Sequence, residues 1–385
     1  MVNKKWKEYQ VDTLFLLVGT NPLPNYVAAS LLTRPDGKIV LLATNETYEI
    51  ANRLRELLKK KFSALTMPEP YEIDNADAVK IFSKVEQIVS EIKQSRTIGL
   101  NYTGGTKAMA VHTYRAIESV QPNATFSYVD ARTLEMNIER GGLPTKHISI
   151  QRDCVIKLDD LVWLHGYNKS VTLRKDPISL TISQAILKVY LEGHGEDWRR
   201  WSQHSPLHTL PTLQQFPTLR PVIDEFSQIG DEEKVAAQLG FSRLSSCAKW
   251  FIGEWLEDIV TSSLKQLFHE GLIDDYAADI QLQSHRERSM QIDTAAIKGY
   301  QLFAISCIAT DQKSKAKEHL LEIFVRAQQI GGEEARVGLV CLYDKPEKLK
   351  AEINENWLAQ DKIQVFGPEQ LENLTQSFRE WIQNA

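Results

Sequence analysis

Residues Ile98–Val111 read IGLNYTGGTKAMAV: an apolar run breaks at two glycines and continues with the residue spacing of a helix. The pair Gly104-Gly105 allows the backbone to turn sharply and to approach a ligand closely. A helix that begins directly after such a turn presents unpaired N–H groups and the positive end of its dipole. Thr103, Thr106 and Lys107 add two hydroxyls and a cation. The pattern predicts a phosphate-binding turn between a strand and a helix, while a plain tight connection capped by Thr106 fits the local sequence equally well.

A second polar loop follows an apolar run near the N-terminus, where Leu14–Val18 lead into Gly19–Tyr26. Loops at the carboxyl ends of parallel strands converge on a ligand crevice at the point where the strand order reverses. We therefore expect the two loops to line one ligand site. The chain has neither the glycine-lysine spacing of a Walker P-loop nor the GxGxxG dinucleotide fingerprint.

These residues resemble the CARF sensor domains of type III CRISPR ancillary proteins, which bind cyclic oligoadenylates. In that family an Asn-x-Thr-Gly-Gly-Thr-Lys-x-Met turn contacts the cyclic nucleotide, and Asn101–Met109 has the same order. The resemblance covers the whole chain and implies cyclic tetra-adenylate as the activator. The implied ligand-binding residues are Asn101, Thr103, Gly104, Gly105, Thr106 and Lys107, with Thr20, Asn21 and Asn25 from the more loosely matching first loop.

Composition and charge limit the class of protein. The chain has 385 residues, 43% hydrophobic and 25% charged, which is enough for two domains with cores of their own. The net charge of −5 argues against a protein that coats nucleic acid by bulk attraction, since nonspecific binding depends on clustered cations. The four cysteines are widely scattered, and no apolar run approaches membrane-spanning length. We therefore expect a cytoplasmic protein that does not enter the membrane.

The first part of the chain, residues 1–150, alternates apolar strands with amphipathic helices. This alternation indicates a doubly wound, Rossmann-like α/β domain. One of its helices is predicted over Ala78–Ile92, with Val79, Phe82 and Val85 among the residues that face inward.

Residues 151–248 are predicted to form a connecting region, because the periodicity weakens there into mixed helices and proline-rich segments. His204 and His208 lie four residues apart, which is the spacing of two metal ligands on a helix. Pro206 and Pro211 interrupt that segment, and they favour a surface loop instead.

Residues 249–385 are predicted to form a second α/β domain. It opens with a helix over Lys249–Leu267, whose apolar face is interrupted by acids such as Glu257. Acids on a helix are normally solvated, and the pattern favours that position for Glu257 over an inward one. Two strands follow at Met290–Ile297 and Leu302–Ile308, and the residues between them predict a hairpin turn.

The first of these strands contains an acid, Asp293, among apolar residues. Burying it costs several kcal/mol unless it is paired, hydrogen-bonded or metal-bound. By itself this strand fits a solvated Asp as well as a functional one. Charged residues gather after the second strand, including Lys315, Lys317, Glu318 and Glu322, and they favour a functional site.

This half of the chain resembles the PD-(D/E)xK nuclease superfamily. The core of that superfamily is a helix with an acid, followed by a hairpin with Asp on one strand and Glu-x-Lys on the next. The resemblance implies a restriction-endonuclease-like fold with Glu257 as the helix acid and Asp293 as the hairpin acid. Ser306 and Ile308 occupy the Glu-x-Lys positions, so that part of the motif is absent.

Some members of the superfamily have Ser at the strand position and take an acid from the next helix, with a shifted lysine. The resemblance then implies Glu322 as the acid, less favourably Glu318, and Lys317 or Lys315 as the cation. Carboxylates in such sites hold divalent ions that polarise the scissile phosphate and lower the pKa of an attacking water. The implied catalytic residues are Glu257, Asp293, Ser306, Lys315, Lys317 and Glu322, with Glu257, Asp293 and Glu322 as ligands of Mg²⁺ or Mn²⁺.

Together the resemblances imply a homodimeric endonuclease of type III CRISPR antiviral defence, activated allosterically by cyclic tetra-adenylate bound across the dimer interface. We expect metal-dependent cleavage of DNA or RNA with low sequence specificity, because no base-reading module is evident. The alternative is a cyclic-oligoadenylate-binding sensor with a silent nuclease-like domain that acts through a partner. Ser306 and Ile308 support this alternative.

Overall fold

The computed structural model of the protein describes residues 4–93, 95–167, 173–203, 209–283, 289–357 and 362–385. Its strands form two separate sheets, with helices packed on both. His204 and His208, predicted to lie in a surface loop, fall outside the described residues. Within the described ranges, no helix combines the length and the apolar character needed to span a bilayer.

The first sheet belongs to the N-terminal part of the chain. Its strands are β1 (Val11–Leu17), β2 (Thr33–Ala43), β3 (Tyr71–Glu72), β4 (Ile98–Asn101), β5 (Thr125–Asp130), β6 (Glu135–Arg140) and β7 (Lys146–Ser149). They are arranged in the order β3-β2-β1-β4-β5-β6-β7. The strands from β3 to β5 are parallel, and β6 and β7 extend the sheet in antiparallel fashion. The strand order therefore reverses between β1 and β4, as a doubly wound sheet requires.

The helices account for most of the remaining regular structure. In chain order they are α1 (Leu23–Leu32), α2 (Tyr48–Lys61), α3 (Ala78–Ser90), α4 (Lys107–Val120), α5 (Leu158–Leu164), α6 (Leu180–Leu191), α7 (Gly195–Gln203), α8 (Arg220–Ile229), α9 (Glu232–Gln238), α10 (Trp255–His269), α11 (Lys313–Gly331), α12 (Pro346–Trp357), α13 (Pro368–Leu371) and α14 (Leu374–Asn384).

Helix α3 has the predicted position, but its buried face differs from the prediction. Val79 was expected to face inward and is 73% exposed. The buried stripe begins instead at Ile81 and continues through Val85, Ile88 and Val89. This spacing of four, three and one residues follows one face of a helix, and Val79 lies outside it.

The second sheet belongs to the C-terminal part. Its strands are β8 (Asp275–Gln283), β9 (Ser289–Lys298), β10 (Gln301–Ile308), β11 (Arg336–Cys341) and β12 (Ile363–Phe366), in the order β12-β11-β10-β9-β8. Strands β8, β9 and β10 form an antiparallel meander, and β11 and β12 continue the sheet in parallel. The predicted hairpin between β9 and β10 is present, with Gly299 in its turn at a φ of +63°. Strand β8 was not predicted from the sequence.

The helix predicted over Lys249–Leu267 begins differently from the prediction. Its first turn, Trp250–Glu254, is a π-helix, and α10 follows from Trp255. A π-helical turn is wider than an α-helical one and rotates the residues that follow it relative to a continuous α-helix. Glu257, expected to be solvated, is buried at 7% exposure, so that expectation was wrong.

The two sheets share a continuous apolar core. One buried cluster joins Leu14 and Ile39 of the first sheet to Ala295 and Ile297 of the second. Within residues 151–248, helices α6 to α9 contribute to a second cluster that also contains residues of α10, β10 and α14. The region between the domains is therefore largely packed onto the C-terminal half.

Candidate functional site

The structure brings the two polar loops together at the reversal of strand order. Strands β1 and β4 are adjacent and parallel, with Leu16 in register with Asn101. Their carboxyl ends therefore lie side by side, and the loops that follow them line a crevice of about 250 Å³. Predicted ligand residues in its wall are Thr20, Asn21, Thr103, Gly104 and Gly105.

The glycines of this crevice are required by its backbone geometry. Gly105 has a φ of +74°, which side chains rarely tolerate. A Cβ on Gly104 would lie 2.2 Å from the Leu17 carbonyl oxygen, and one on Gly19 would lie 3.0 Å from the Gly105 nitrogen. The two loops thus pack backbone against backbone, so any side chain at Gly104 would separate them.

Asn101 and Asn25 are buried and bind the protein itself. The Asn101 side-chain amide donates to the Ser127 hydroxyl at 3.1 Å, and its oxygen accepts from the Thr103 backbone at 3.3 Å. The Asn25 amide donates to the Leu17 carbonyl oxygen at 2.9 Å. Both were predicted to touch a ligand; in this arrangement their contacts hold the loops in place.

The start of α4 is open to solvent. Thr106 is its N-cap: the Thr106 hydroxyl accepts from the Met109 backbone N–H at 3.1 Å and donates to the Asn75 carbonyl oxygen at 2.6 Å. Thr103 accepts a hydrogen bond from the Val129 backbone at 2.7 Å. Lys107, the first residue of the helix, is exposed. Its cation and the positive end of the helix dipole together favour an anion at this point.

Tyr128 is a residue of the crevice that the sequence analysis missed. It lies in β5, lines the crevice and is 38% exposed. Its ring centroid is 5.8 Å from that of Tyr102, which donates a hydrogen bond to Glu139 at 3.0 Å. Tyr102 thus supports an aromatic face beside the Gly104-Gly105 turn, an arrangement suited to a nucleobase. The sequence feature that could have indicated this role is a tyrosine in β5, the strand next to β4.

The crevice also has a wall from the C-terminal half. Glu333 and Glu334, in the turn between α11 and β11, line it opposite the Gly-Gly loop. Asn21 lies at this junction, where its side-chain oxygen accepts from the Leu23 backbone at 3.0 Å and contacts Nε2 of His165 at 3.2 Å. The sequence analysis predicted neither glutamate at the ligand site.

A second candidate site surrounds Asp293 in the C-terminal half. The Ser306 hydroxyl donates to Asp293 Oδ2 at 2.9 Å, and the Cys307 backbone N–H donates to the same oxygen at 2.8 Å. Nδ1 of His319 lies 3.4 Å from the Ser306 hydroxyl. Burial raises the pKa of Asp293, and these two hydrogen bonds oppose that rise. Asp293 is therefore a partly buried acid that is hydrogen-bonded within the sheet.

Glu257 belongs to the same cluster of acids. Burial, and after it the negative charge of Asp293, raises the pKa of Glu257 to about 9. The Arg174 guanidinium, 3.3 Å from the Glu257 carboxylate, opposes this shift. The pKa of Glu254 is also raised, by burial first and then by Asp279. Carboxyls gathered in this way either hold protons or attract a cation.

The residues predicted on α11 have other partners. Glu322 forms an ion pair with Arg326, and Lys317 Nζ lies 2.7 Å from Glu352. Glu322 lies between His319 and Arg326 on one face of the helix, and the charges of both lower the pKa of Asp293. Glu322 is therefore on the side of α11 that is turned towards Asp293, although its own partner is Arg326.

Lys315 lies apart from these acids. It lines a larger cavity of about 750 Å³ together with Arg199, Arg200, Ile252 and Ile308. Arg199 is paired with Asp311 at 2.9 Å. The cavity adjoins the end of β10 and the π-helical turn, and its lining combines these three cations with two acids, Glu196 and Asp311.

The described residues do not form a finished metal site. Among them, no three His, Cys, Asp or Glu side chains are placed to hold one ion together. The structure brings together Glu257, Asp293 and Ser306 but not Lys317. In this arrangement, Glu257 and Asp293 alone fall short of the three such ligands.

Comparison with solved structures shows the same two-sheet architecture. The fold resembles protein VC1899 from Vibrio cholerae, with a TM-score of 0.71 and 15% identity over 96% of this chain and 98% of that one. It also resembles Can2 from Sulfobacillus thermosulfidooxidans, solved in complex with cyclic tetra-adenylate, with a TM-score of 0.68 and 17% identity over 96% and 97% of the two chains. The predicted fold is confirmed. It is a Rossmann-like α/β domain joined to a second α/β domain.

A third similar structure is a type III CRISPR defence DNA nuclease activated by cyclic oligoadenylate. Its TM-score is 0.54 and its identity 14%, over 90% of this chain but only 52% of that one, so the present chain spans about half its length. No protein-family model matches the sequence, and no curated protein matches it significantly. At such identities the likeness concerns the fold.

Proposed function

We propose that the protein is a cyclic-oligoadenylate-responsive nuclease of type III CRISPR defence, with cyclic tetra-adenylate as its activator. The observation that carries this proposal is the crevice at the strand reversal, where the Gly104-Gly105 turn and the start of α4 face a second polar loop. Can2, which has the same fold, was solved with cyclic tetra-adenylate bound.

The crevice offers one group for each part of a nucleotide. Thr106 and Lys107 are not part of the crevice lining, but the start of α4 directly follows Gly105 and suits a phosphate at the edge of the crevice, because backbone N–H groups and the helix dipole favour negative charge there. The exposed ring of Tyr128 suits an adenine, since base–aromatic stacking contributes about 1–3 kcal/mol per base. Thr20 and Thr103 add hydroxyl groups in the wall between them.

The size of the crevice supports a dimer. Pockets for drug-sized ligands span about 300–1,000 Å³. At about 250 Å³, the crevice of one chain is too small to enclose a ring of four nucleotides. A ring shared by two copies across a two-fold axis resolves this mismatch. Val79 and Val111, 73% and 53% exposed on the adjacent helices α3 and α4, are apolar surface that a second copy would cover.

The C-terminal half supplies the proposed nuclease. A ligand that binds one arrangement of two subunits better than another shifts their equilibrium, with a typical coupling of about 1–3 kcal/mol. Glu257 and Asp293 are the proposed catalytic acids, supported by the effect of the Asp293 charge on the pKa of Glu257, and Lys315 in the larger cavity is the proposed contact for a DNA or RNA backbone. Because Glu322 is paired with Arg326, we propose that activation frees Glu322, and that cleavage then requires Mg²⁺ or Mn²⁺.

The test combines substrates, metals and activator. Supercoiled plasmid, single-stranded DNA and single-stranded RNA are incubated with the protein and Mg²⁺ or Mn²⁺, with and without cyclic tetra-adenylate. We expect cleavage that needs both ligand and metal and that Lys107→Ala and Asp293→Ala each abolish. Lys84→Ala and Asp344→Ala, at exposed positions, are the matched controls and should cleave normally. Cleavage that is independent of the ligand would contradict the proposal.

A second candidate function is a sensor with a silent nuclease-like domain. The observation that favours it is that Ser306 occupies the position of the strand acid and is bonded to Asp293, while Lys317 is bonded to Glu352. A functional metal site should raise the melting temperature in the presence of Mn²⁺, and Asp293→Ala should remove that increase. Tight ligand binding without metal stabilisation or cleavage would favour the silent sensor.

A further inference from the structure

Glu334 is a buried acid in the wall of the sensor crevice, although it belongs to the C-terminal half. It ends the short turn Gly332–Glu334, which connects α11 to β11. Its side chain is 1% exposed, and neither carboxyl oxygen has a hydrogen-bond partner among the described residues. An unpartnered buried carboxyl is costly, by at least about 1–3 kcal/mol. The fold therefore keeps a costly group at the ligand site.

The turn that carries Glu334 packs directly on the first sensor loop. Gly332 has a φ of +65°, and a Cβ there would lie 2.1 Å from Nδ2 of Asn21 and 2.7 Å from a Glu334 oxygen. The backbone N–H of Glu334 and the Asn21 amide are both close enough to lower the pKa of the Glu334 carboxyl, but neither meets the geometry of a hydrogen bond. Asn21 and Glu334 thus meet at the junction of the two halves.

The chemistry of the carboxyl restricts what it can recognise. In its ionised form, the carboxyl accepts hydrogen bonds and repels a phosphate, so its partner in a nucleotide is then an O–H or N–H donor. In an oligoadenylate these donors are the ribose hydroxyl and the adenine amine. We propose that Glu334 accepts a hydrogen bond from one of these groups, so that both halves of the chain contact the bound ligand.

This inference rests on the proposed function and deepens it, because it names a contact through which the ligand reaches the nuclease-like half. Glu334 lies three residues beyond the end of α11, the helix that carries Lys317 and Glu322. A hydrogen bond that forms only with ligand bound fixes the end of this helix against the sensor loop. The ligand therefore biases the position of α11 without touching the proposed nuclease site.

The first experiment measures binding of cyclic tetra-adenylate by calorimetry. Glu334→Met keeps the volume of the side chain and removes both acceptors, and we expect it to weaken binding at least tenfold. Glu334→Gln keeps one acceptor oxygen and should retain most of the affinity. Glu347→Gln removes the same charge at an exposed position of α12 outside the crevice, and should not weaken binding. Unligated Glu334→Met should melt at or above the temperature of the parent, because it removes an unpartnered buried carboxyl.

The second experiment identifies the donor. Rings that lack the 2′-hydroxyl, or that carry inosine in place of adenosine, are compared with cyclic tetra-adenylate. One of the two modified rings should bind the parent protein more weakly than cyclic tetra-adenylate does. Glu334→Met should bind that ring and cyclic tetra-adenylate with equal affinity.

Different results would contradict the role of Glu334 and the proposed function of the protein. If Glu334→Met binds cyclic tetra-adenylate as tightly as the parent while Lys107→Ala loses binding, the role of Glu334 is overturned and the sensor function stands. If the parent itself does not bind cyclic tetra-adenylate, the proposed function falls and this inference falls with it.

Discussion

The Ser306 hydroxyl donates a hydrogen bond of 2.9 Å to Oδ2 of Asp293 across the β9–β10 hairpin. This contact, together with the Cys307 backbone, partly compensates for placing a carboxyl inside the sheet. Ser306 thus occupies the strand position of an expected acid and supports the acid on the neighbouring strand. A glutamate at the same position would instead add a negative charge beside Asp293.

We expect Ser306→Ala to destabilise the protein by about 1–2 kcal/mol at neutral pH, because it removes one of the two hydrogen bonds to a partly buried carboxyl. Urea unfolding of parent and variant measures this difference. Ser289→Ala, at an exposed position of the neighbouring strand β9, is the control and should change the free energy of unfolding by less than about 0.5 kcal/mol. Equal stability of Ser306→Ala and the parent would show that the contact contributes nothing.

Gly104→Ala should disrupt the sensor crevice. The added Cβ would lie 2.2 Å from the Leu17 carbonyl oxygen, so the two loops must separate. We expect a loss of roughly 2–3 kcal/mol in stability and loss of cyclic tetra-adenylate binding. Gly253→Ala is the matched control, since a Cβ there meets nothing within 4 Å. Normal ligand binding by Gly104→Ala would refute the role of this turn.

Tyr128→Ala should weaken cyclic tetra-adenylate binding by about tenfold or more, because stacking on an aromatic ring contributes about 1–3 kcal/mol per base. Tyr128→Phe keeps the ring and should bind like the parent. Calorimetry distinguishes the two variants. A similar loss in both would assign the effect to the hydroxyl and exclude stacking as its cause.

Glu334 should make stability depend on pH. Burial raises the pKa of Glu334 from its ordinary 4.5 to about 7. Between these two pH values the folded protein holds a proton that the unfolded chain has lost, so stability falls as pH rises through this window. The fall should reach up to about 3 kcal/mol. Urea unfolding from pH 4 to pH 8 should show this contribution in the parent and not in Glu334→Gln.

The difference between parent and variant isolates Glu334 from other acids that titrate, such as Glu257. The charged groups facing Glu334 act in opposite directions, since Glu333 raises its pKa and Lys362 lowers it. Glu333→Gln should therefore shift the upper end of this pH range slightly downwards, and stability should still fall with rising pH within the range. Identical pH profiles for the parent and Glu334→Gln would contradict the assignment.

Several features of the fold were predictable because they depend on neighbours in sequence. Gly104 and Gly105 permit a turn that few other residues allow, and the Thr106 hydroxyl caps the helix that follows by accepting from the Met109 backbone N–H. The hairpin at Gly299 follows from the same local preference. The alternation of strands and helices then limits the first domain to a doubly wound sheet.

Burial was less predictable, since it depends on distant segments. Val79 fits a helical stripe as well as Ile81 does in sequence, yet only Ile81 meets the core. Glu257 has the sequence context of a solvated helix acid, but the π-helical turn before it and the packing of α10 on the sheet bury it. Arg174, which contacts Glu257 and Asp258, lies more than 80 residues away along the chain.

The sequence by itself determined the Gly-Gly turn, the capped helix, the strand–helix alternation and the acid in the β9 strand, because backbone preference and periodicity act over a few residues. Only the tertiary structure decided that Glu334 reaches the sensor crevice, that Tyr128 borders it, and that Glu322 and Lys317 are held by other partners. Those relationships join residues far apart in the chain. They depend on burial and on the proximity of charged groups, and both arise only when the two sheets pack together.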